Sequence, residues 1–100
     1  MNFNQKVLEL TKRVPKGKVT TYKILADKLG TKAYRAVGTA LKNNKHPVTI
    51  PCHRIVSHNG SLGGYKGKMN SPEKIRLLKK EGVDIKNNKI KEFEKVLFKF

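Results

Sequence analysis

The chain of 100 residues is poor in several kinds of residue, and each shortage excludes a class of protein. It contains one cysteine, so an intrachain disulfide is impossible, and a free thiol fits a reducing, intracellular setting. No apolar run approaches the roughly 20 residues of a membrane-spanning helix, and the N-terminus lacks the apolar stretch of a signal peptide. We therefore expect a cytoplasmic protein without a membrane partner, forming a single domain over residues 1–100.

Acidic residues are also scarce. Seven Asp and Glu stand against 23 Lys and Arg, which gives a formal net charge of +16. A polyanion is the natural partner at this charge density, and nucleic acid is the first candidate. A solvated lysine-rich surface would have the same composition, so charge suggests DNA without establishing it.

The only cysteine lies in the segment 50–55 (IPCHRI), beside a histidine and an arginine. Pro51 has a fixed φ and no N–H, so the segment is no ordinary helix interior. A thiol on a rigid turn, next to a base and a cation, is what covalent thiol chemistry requires. A lone cysteine is more often a small buried apolar residue, and that interpretation stays open at this point.

Apolar spacing and capping residues predict three helices in the first half of the chain. The first runs from about Phe3 to Val14 and ends before Pro15. The second is capped by Thr20 or Thr21 and runs to about Leu29, with Gly30 as its terminator. The third is capped by Thr31 and ends in the segment 43–47; its helically spaced apolar residues are Ala33, Ala36, Val37, Ala40 and Leu41. The last two helices form a predicted helix-turn-helix.

In the second half, Asn59-Gly60 predicts a tight hairpin, and Ser71-Pro72-Glu73 predicts the start of a helix that ends at Gly82. The predicted fold is mainly α, a winged-helix-like helix-turn-helix domain with a small β-hairpin and a core over about residues 3–85. A C-terminal tail, 86–100, carries apolar residues at roughly helical spacing, and we expect it to cover the core. They are Ile90, Phe93, Val96, Leu97 and Phe100.

Pro-Cys-His-Arg at 51–54, followed by Ile55-Val56, resembles the active-site signature of the O6-alkylguanine-DNA alkyltransferases, or methylated-DNA–protein-cysteine methyltransferases. Three further motifs follow the family's order: RAVG at 35–38, NGSLGGY at 59–65, and Leu-Leu at 77–78 with Glu-Gly at 81–82. The resemblance covers about residues 3–85, the family's C-terminal domain, and we expect no N-terminal domain.

The resemblance implies direct, single-turnover transfer of an alkyl (methyl) group from O6 of guanine in double-stranded DNA to Cys52. The damaged base is flipped out of the helix to reach the thiol. His53 would make the thiolate through a water, and Glu81 would orient His53; a salt bridge to a lysine is the ordinary alternative for Glu81. Tyr22 would displace the 3′ phosphate and donate toward the departing guanine. We expect a monomer that needs no cofactor and no metal.

The resemblance also implies a DNA surface and a substrate pocket. Arg35 would fill the space that the flipped nucleotide leaves, on a thin third helix in the minor groove; the DNA-binding residues are Tyr22, Ala33, Tyr34, Arg35, Ala36, Gly38 and Lys42. Tyr34 departs from the small residue often found at its position. The pocket residues are Asn44, Arg54, Leu62, Gly63, Gly64, Tyr65, Lys66 and Lys74, with Lys74 near the leaving oxygen. Close helix packing, a plain helix-ending asparagine and a wing-like glycine-rich loop are the ordinary alternatives.

Three rival functions remain. The short alkyltransferase-like proteins bind lesions without repairing them and typically carry tryptophan or alanine at the position of Cys52. The retention of Cys52 with His53, Tyr65 and Glu81 argues against such a sensor. A winged-helix DNA binder with an incidental cysteine is the second rival. A zinc site formed by Cys52, His46, His53 and His58 is the third, and it is disfavoured because adjacent residues point apart.

Overall fold

The computed structural model describes residues 1–46 and 48–100, so Pro47 of the predicted helix-ending segment lies outside the described residues. Its five helices and three two-stranded pairs, counted over those residues, agree with the predicted mainly α class. In chain order they are α1 (Phe3–Lys12), β1 (Thr20–Thr21), α2 (Tyr22–Lys28), α3 (Tyr34–Lys42), a 3₁₀ turn (Cys52–Arg54), β2 (Ile55–Val56), β3 (Gly64–Tyr65), β4 (Lys68–Met69), α4 (Pro72–Lys80), β5 (Ile85–Lys86), β6 (Lys89–Ile90) and α5 (Phe93–Val96). Across these two stretches, no helix combines the length and apolar character needed to cross a membrane.

Side-chain caps start three of the helices. Asn2 and Gln5 form a reciprocal capping box at α1, with bonds of 2.9 and 2.8 Å. Thr21 Oγ1 accepts from the backbone N–H of Ile24 at 3.0 Å, and Ser71 caps α4 ahead of Pro72. The predicted starts of α2 and α4 are therefore confirmed.

The start of α3 differs from the prediction. Its N-cap is Ala33, which makes no capping bond, and Thr31 Oγ1 instead accepts from the N–H of Ala33 at 3.1 Å. The predicted Thr31 cap was wrong because the threonine forms a local turn after Gly30, whose φ is +71°. The buried residues of α3 are Val37, Ala40 and Leu41, whereas Ala33 and Ala36 are exposed.

Two apolar clusters form the core, and the parallel pair of β1 and β2 lies between them. Ile55 belongs to the cluster beneath α1, α2 and α3, whereas Val56 belongs to the cluster beneath α4 and the tail. This alternation is what strand geometry requires of neighbouring residues. Thr20 pairs with Ile55 and Thr21 with Val56, so the start of α2 lies beside the turn that carries Cys52.

The small hairpin is not where the sequence pattern placed it. Asn59-Gly60 makes a tight turn, closed by the bond from Gly60 N–H to the Ser57 carbonyl at 2.9 Å, but β2 pairs with β1 instead of continuing into a hairpin. The ladder forms between β3 and β4, around Lys66 and Gly67 with φ of 52° and 81°. Two positive φ values suit a tight hairpin turn.

The tail covers the core, as predicted, and the roughly helical spacing of its apolar residues does not correspond to one continuous helix. It forms the hairpin β5–β6, then the four-residue α5, then an extended end. Asn87 and Asn88 turn the hairpin with φ of 53° and 60°, which asparagine tolerates better than most residues. Ile90 is buried in the second cluster, and Phe98 and Phe100 pack against the first.

Candidate active site

A cleft of about 720 Å³ lies between α2, α3 and the β3–β4 hairpin, and Cys52 opens onto it. Ten predicted site residues line it: Tyr22, Tyr34, Arg35, Gly38, Lys42, Cys52, Gly63, Gly64, Tyr65 and Lys66. Six lining residues were not predicted: Lys23, Leu41, Ser57, His58, Gly67 and Met69. Lys23 follows Tyr22, Gly67 follows Lys66, and Leu41 lies one helical turn beyond Gly38, so proximity to predicted residues was the available signal for these three.

The turn that carries Cys52 is fixed by short backbone bonds. Cys52 N–H donates to the Ile50 carbonyl at 2.8 Å, and Arg54 N–H donates to the Pro51 carbonyl at 2.9 Å. Asn44 Nδ2 donates to the same Ile50 carbonyl at 3.0 Å, so Asn44 supports the turn from outside the cleft. Cys52 is 7% exposed and is one of the residues that line the cleft.

Behind Cys52, Glu81 holds two neighbouring side chains. His53 is fully buried, and its Nε2 lies 3.0 Å from Oε2 of Glu81. Arg54 donates from Nε to Oε1 at 2.9 Å and from Nη2 to Oε2 at 2.7 Å, the two-pronged geometry of a strong pair. Arg54 Nη1 also reaches the Val14 carbonyl at 2.8 Å, so Arg54 lies behind the cleft and not in its lining. Glu81 thus contacts His53, the partner that the resemblance implied, and its second partner is an arginine, not the lysine of the ordinary alternative.

Burial and hydrogen bonding set the protonation of this group. Burial lowers the pKa of His53 below its usual 6.5, although the bond and charge of Glu81 oppose the shift. Burial raises the pKa of Glu81, but the hydrogen bonds from Arg54 and His53 outweigh it and the pKa is lowered overall. At neutral pH the imidazole is therefore neutral beside an ionised carboxylate. His53 Nδ1 is buried and has no hydrogen-bond partner among residues 1–46 and 48–100.

Two tyrosines form part of the cleft wall. Tyr22 Oη donates to the Gly64 carbonyl at 3.2 Å, and burial, with the charge of Cys52 adding to it, raises the pKa of Tyr22. Burial likewise raises the pKa of Tyr65 to about 12, and its hydroxyl has no partner in the described part of the chain. Both phenols are therefore donors at neutral pH. A Cβ on Gly63 would lie 3.2 Å from Tyr22 Cε2, a tight contact, and the φ of +70° would strain any other residue, so this position favours glycine.

Lys74 lies beneath the cleft and not in it. It is fully buried, and its Nζ donates to the carbonyls of Ile55 at 2.6 Å, Leu62, and Gly64 at 3.1 Å. Burial lowers the pKa of Lys74 to about 7, and the charge of Cys52 opposes the shift. Leu62 is buried as well. Lys74 and Leu62 were both predicted to be pocket residues, and neither of them lines the cleft. The spacing of Lys74 four residues before buried Leu78 was the signal that this lysine points inward.

The exposed face of α3 borders the cleft. Ala33, Arg35 and Ala36 are exposed and Tyr34 is 41% exposed, but the two alanines do not line the cleft. Apart from the adjacent backbone of α3 itself, no atom of residues 1–46 and 48–100 lies within 4 Å of where a Cβ of Gly38 would be, so the helix is thin toward open space. Within the two described stretches, no three His, Cys, Asp or Glu side chains are grouped to hold a metal ion.

Comparison with known proteins decides the class. Residues 2–83 match the model of a family described as 6-O-methylguanine DNA methyltransferase, DNA binding domain. The chain belongs to this methyltransferase family. The sequence-based resemblance is thereby confirmed.

Two curated members of the methyltransferase family are close in sequence. A bifunctional methyltransferase/endonuclease of Thermoplasma volcanium is 45% identical over 91 residues, which are 90% of this chain and 28% of that protein. A methylated-DNA–protein-cysteine methyltransferase of Thermococcus kodakarensis is 49% identical over 82 residues, 81% of this chain and 45% of that protein. This chain therefore spans less than half the length of either relative.

One solved structure matches nearly the whole fold. Atl1 of S. pombe, in complex with damaged DNA containing O6-carboxymethylguanine, is 26% identical with a TM-score of 0.84. The match covers 98% of this chain and 95% of that one. The tail beyond residue 83, which lies outside the family model, is therefore included in the structural likeness.

Proposed function

We propose that this protein repairs DNA by transferring an alkyl group from O6 of guanine to Cys52 in a single, irreversible turnover. The observation that carries the proposal is that Cys52 lines the cleft and is followed in sequence by a neutral His53 that Glu81 holds. Nucleophile, base and orienting carboxylate are the three parts that covalent catalysis by a thiol needs. Family membership supplies the class of reaction.

In the proposed reaction, His53 Nδ1 accepts the thiol proton through a bridging water. The carboxylate of Glu81 keeps the other ring proton on Nε2, which leaves Nδ1 as the acceptor. The thiolate attacks the alkyl carbon, a C–S bond forms, and the bond from carbon to O6 breaks with its electron pair leaving on guanine. Tyr22, a protonated phenol on the cleft wall, donates toward the departing base in place of its bond to Gly64.

The proposal assigns the DNA surface to α3, as the recognition helix of a winged-helix-like helix-turn-helix formed with α2. Arg35 lines the cleft and is exposed, so it can enter the base stack where the damaged nucleotide has been flipped out. Exposed Ala33 and Ala36 and the open space at Gly38 keep this face thin enough for a groove. We propose that the protein acts as a monomer on double-stranded DNA.

The flipped base is proposed to bind against the loop formed by Gly63, Gly64 and Tyr65, with Lys66 at the rim. Lys74 is assigned a positioning role, since all three of its contacts are backbone carbonyls and none of its surface is exposed. It joins the end of the Cys52 turn, at Ile55, to the loop at Leu62 and Gly64. Lys74 thus fixes the position of the Cys52 turn relative to the pocket loop.

A second candidate function is lesion binding without repair. Its support is the fit to Atl1 over nearly the full length of both chains. The thiol of Cys52 on the cleft wall favours transfer over this alternative.

The deciding experiment is the intact mass of the protein after incubation with a duplex containing one O6-methylguanine. We expect one added methyl group, located on Cys52 by peptide mapping, and no further addition with excess DNA. Cys52→Ser is expected to lose the transfer and keep its preference for methylated over unmethylated duplex. Unchanged wild-type mass with lesion-selective binding would favour the sensor, and unchanged mass with no lesion preference would remove both candidates.

A further inference from the structure

The segment of the tail from residue 85 to 98, here called the clamp, contacts both chain segments that meet in the wall of the cleft. None of its residues lines the cleft. It also lies beyond residue 83, where the family model ends. Its contacts are directed toward residues 60–62 on one side and toward Val19 on the other.

The first side holds the chain just before the pocket loop. Leu62 N–H donates to the Asn88 carbonyl at 3.0 Å, and Ile90 N–H donates to the Gly60 carbonyl at 2.8 Å. The ring of Phe93 packs on the same turn, since a Cβ on Gly60 would lie 3.3 Å from its Cγ. Leu62 is followed directly by Gly63 and Gly64, so these contacts fix the point from which the pocket loop departs.

The second side holds the chain just before α2. Val19 N–H donates to the Val96 carbonyl at 2.9 Å, and Phe98 N–H donates to the Val19 carbonyl at 2.7 Å. Lys18 Nζ adds a bond to the Lys95 carbonyl at 3.0 Å. Val19 leads through β1 into Tyr22, the first residue of α2.

The two held segments touch each other in the cleft wall. Tyr22 Oη donates to the Gly64 carbonyl at 3.2 Å, and Gly63 lies so close to the Tyr22 ring that an added Cβ would be 3.2 Å from Cε2. One stretch of tail therefore sets the separation of two groups that the proposed reaction uses. We propose that the clamp is a positioning element for alkyl transfer, which holds Tyr22 and the Gly63–Gly64 loop in reactive register.

This inference rests on the proposed function, but its structural half can be measured without DNA. Phe93→Ala removes the clamp's packing on Gly60, and Glu94→Ala, at the next and exposed residue, is the matched control. Amide hydrogen exchange of Leu62 is expected to become about tenfold faster in Phe93→Ala, while that of Leu25 in the helical core stays at the wild-type rate. Phe93→Leu is expected to restore most of the protection.

The functional half is the rate constant of transfer at saturating lesion DNA, measured apart from affinity. We expect a fall of about tenfold or more in Phe93→Ala, since small displacements far from the chemistry disturb reactive geometry. The affinity for undamaged duplex is expected to stay within about twofold, because no clamp residue lines the cleft. Glu94→Ala is expected to match the wild type in all three measurements.

Three results would overturn the proposed role of the clamp. If amide exchange of Leu62 is unchanged in Phe93→Ala, the packing of Phe93 on Gly60 does not hold the pocket loop. If the Leu25 amide exchanges faster by the same factor as that of Leu62, the tail only stabilises the whole fold. A transfer rate that stays at the wild-type value despite a loosened Leu62 would overturn the positioning role. Absence of transfer in the wild type would refute the proposed function, and the exchange data would still decide whether the tail holds the loop.

Discussion

The carboxylate of Glu81 accepts three hydrogen bonds, two from Arg54 and one from His53 Nε2. The substitution Glu81→Gln tests the importance of these bonds. An amide has one acceptor oxygen and presents an NH₂ group where the second carboxylate oxygen was. If the NH₂ replaces Oε1, the bond from Arg54 Nε is lost. If it replaces Oε2, the bond from Arg54 Nη2 is lost, and the His53 ring must take the tautomer with its proton on Nδ1 to accept from the amide.

The expected losses of stability and of transfer rate follow from those two orientations of the amide. Loss of a bond to a charged group costs about 2 kcal/mol, kept at the lower end because Glu81 and Arg54 retain 11% and 14% side-chain exposure. For a domain of this size, that corresponds to a melting temperature about 10 °C lower. The second orientation removes the proposed base, so the transfer rate constant is expected to fall by about 100-fold or more.

The assay is thermal unfolding followed by circular dichroism, combined with single-turnover transfer from an O6-methylguanine duplex. Glu9→Gln is the matched control: it makes the same change in the exposed pair with Lys12, at 3.5 Å, where little or no effect is expected.

The pH dependence of stability gives a second readout. The pKa of Glu81 is lowered in the folded state, so near and below the ordinary value of 4.5 the folded protein binds fewer protons than the unfolded chain, and stability rises with pH. The advantage of wild type over Glu81→Gln is therefore expected to shrink as the pH falls below the ordinary value of 4.5. A Glu81→Gln protein as stable and as fast as wild type would refute this account of the site.

Two further predictions concern charge. Arg35→Ala is expected to weaken lesion-DNA binding about tenfold, whereas Arg76→Ala, which removes the same charge from an exposed residue outside the cleft, should leave it nearly unchanged; equal effects would mean that Arg35 acts only through net charge. Lys74 gives up its proton at about 7 in the folded protein but near 10.5 when unfolded, so the unfolded chain binds more protons between those values. Wild type is therefore expected to gain stability relative to Lys74→Met as the pH rises through this window, measured by urea unfolding, and the opposite slope would contradict the lowered pKa.

Local chemistry was readable from the sequence where one short segment decided the structure. Thr21 caps α2, Ser71 and Pro72 open α4, and Glu81 lies on the inner side of its helix end, because these features depend on residues at most four positions apart. The position of Cys52 on a rigid turn followed in the same way from Pro51.

Features set by distant residues were not readable. The pairing of Thr20 with Ile55 joins two-residue strands that are too short to show any periodicity. The family resemblance assigned Arg54 to the pocket, but its bonds to Glu81, 27 residues away in the sequence, hold it behind the cleft. In the tail, Asn87 and Asn88 turn the chain into a hairpin, and this overrides the helical spacing of Ile90, Phe93 and Val96.

The bonds of Val19 to Val96 and Phe98 have a consequence for how the protein folds. Val19, the residue before β1, finds its backbone partners near the far end of the sequence, so the loop to be closed contains most of the chain. Closing a longer loop adds little free-energy cost, but contacts so distant along the chain slow folding. The three N-terminal helices can pack together early around Val7, Leu25 and Val37. Val19, in contrast, lacks its backbone partners Val96 and Phe98 until the tail has folded onto it. Catalytic competence is therefore expected to be acquired last, after α1, α2 and α3 have formed.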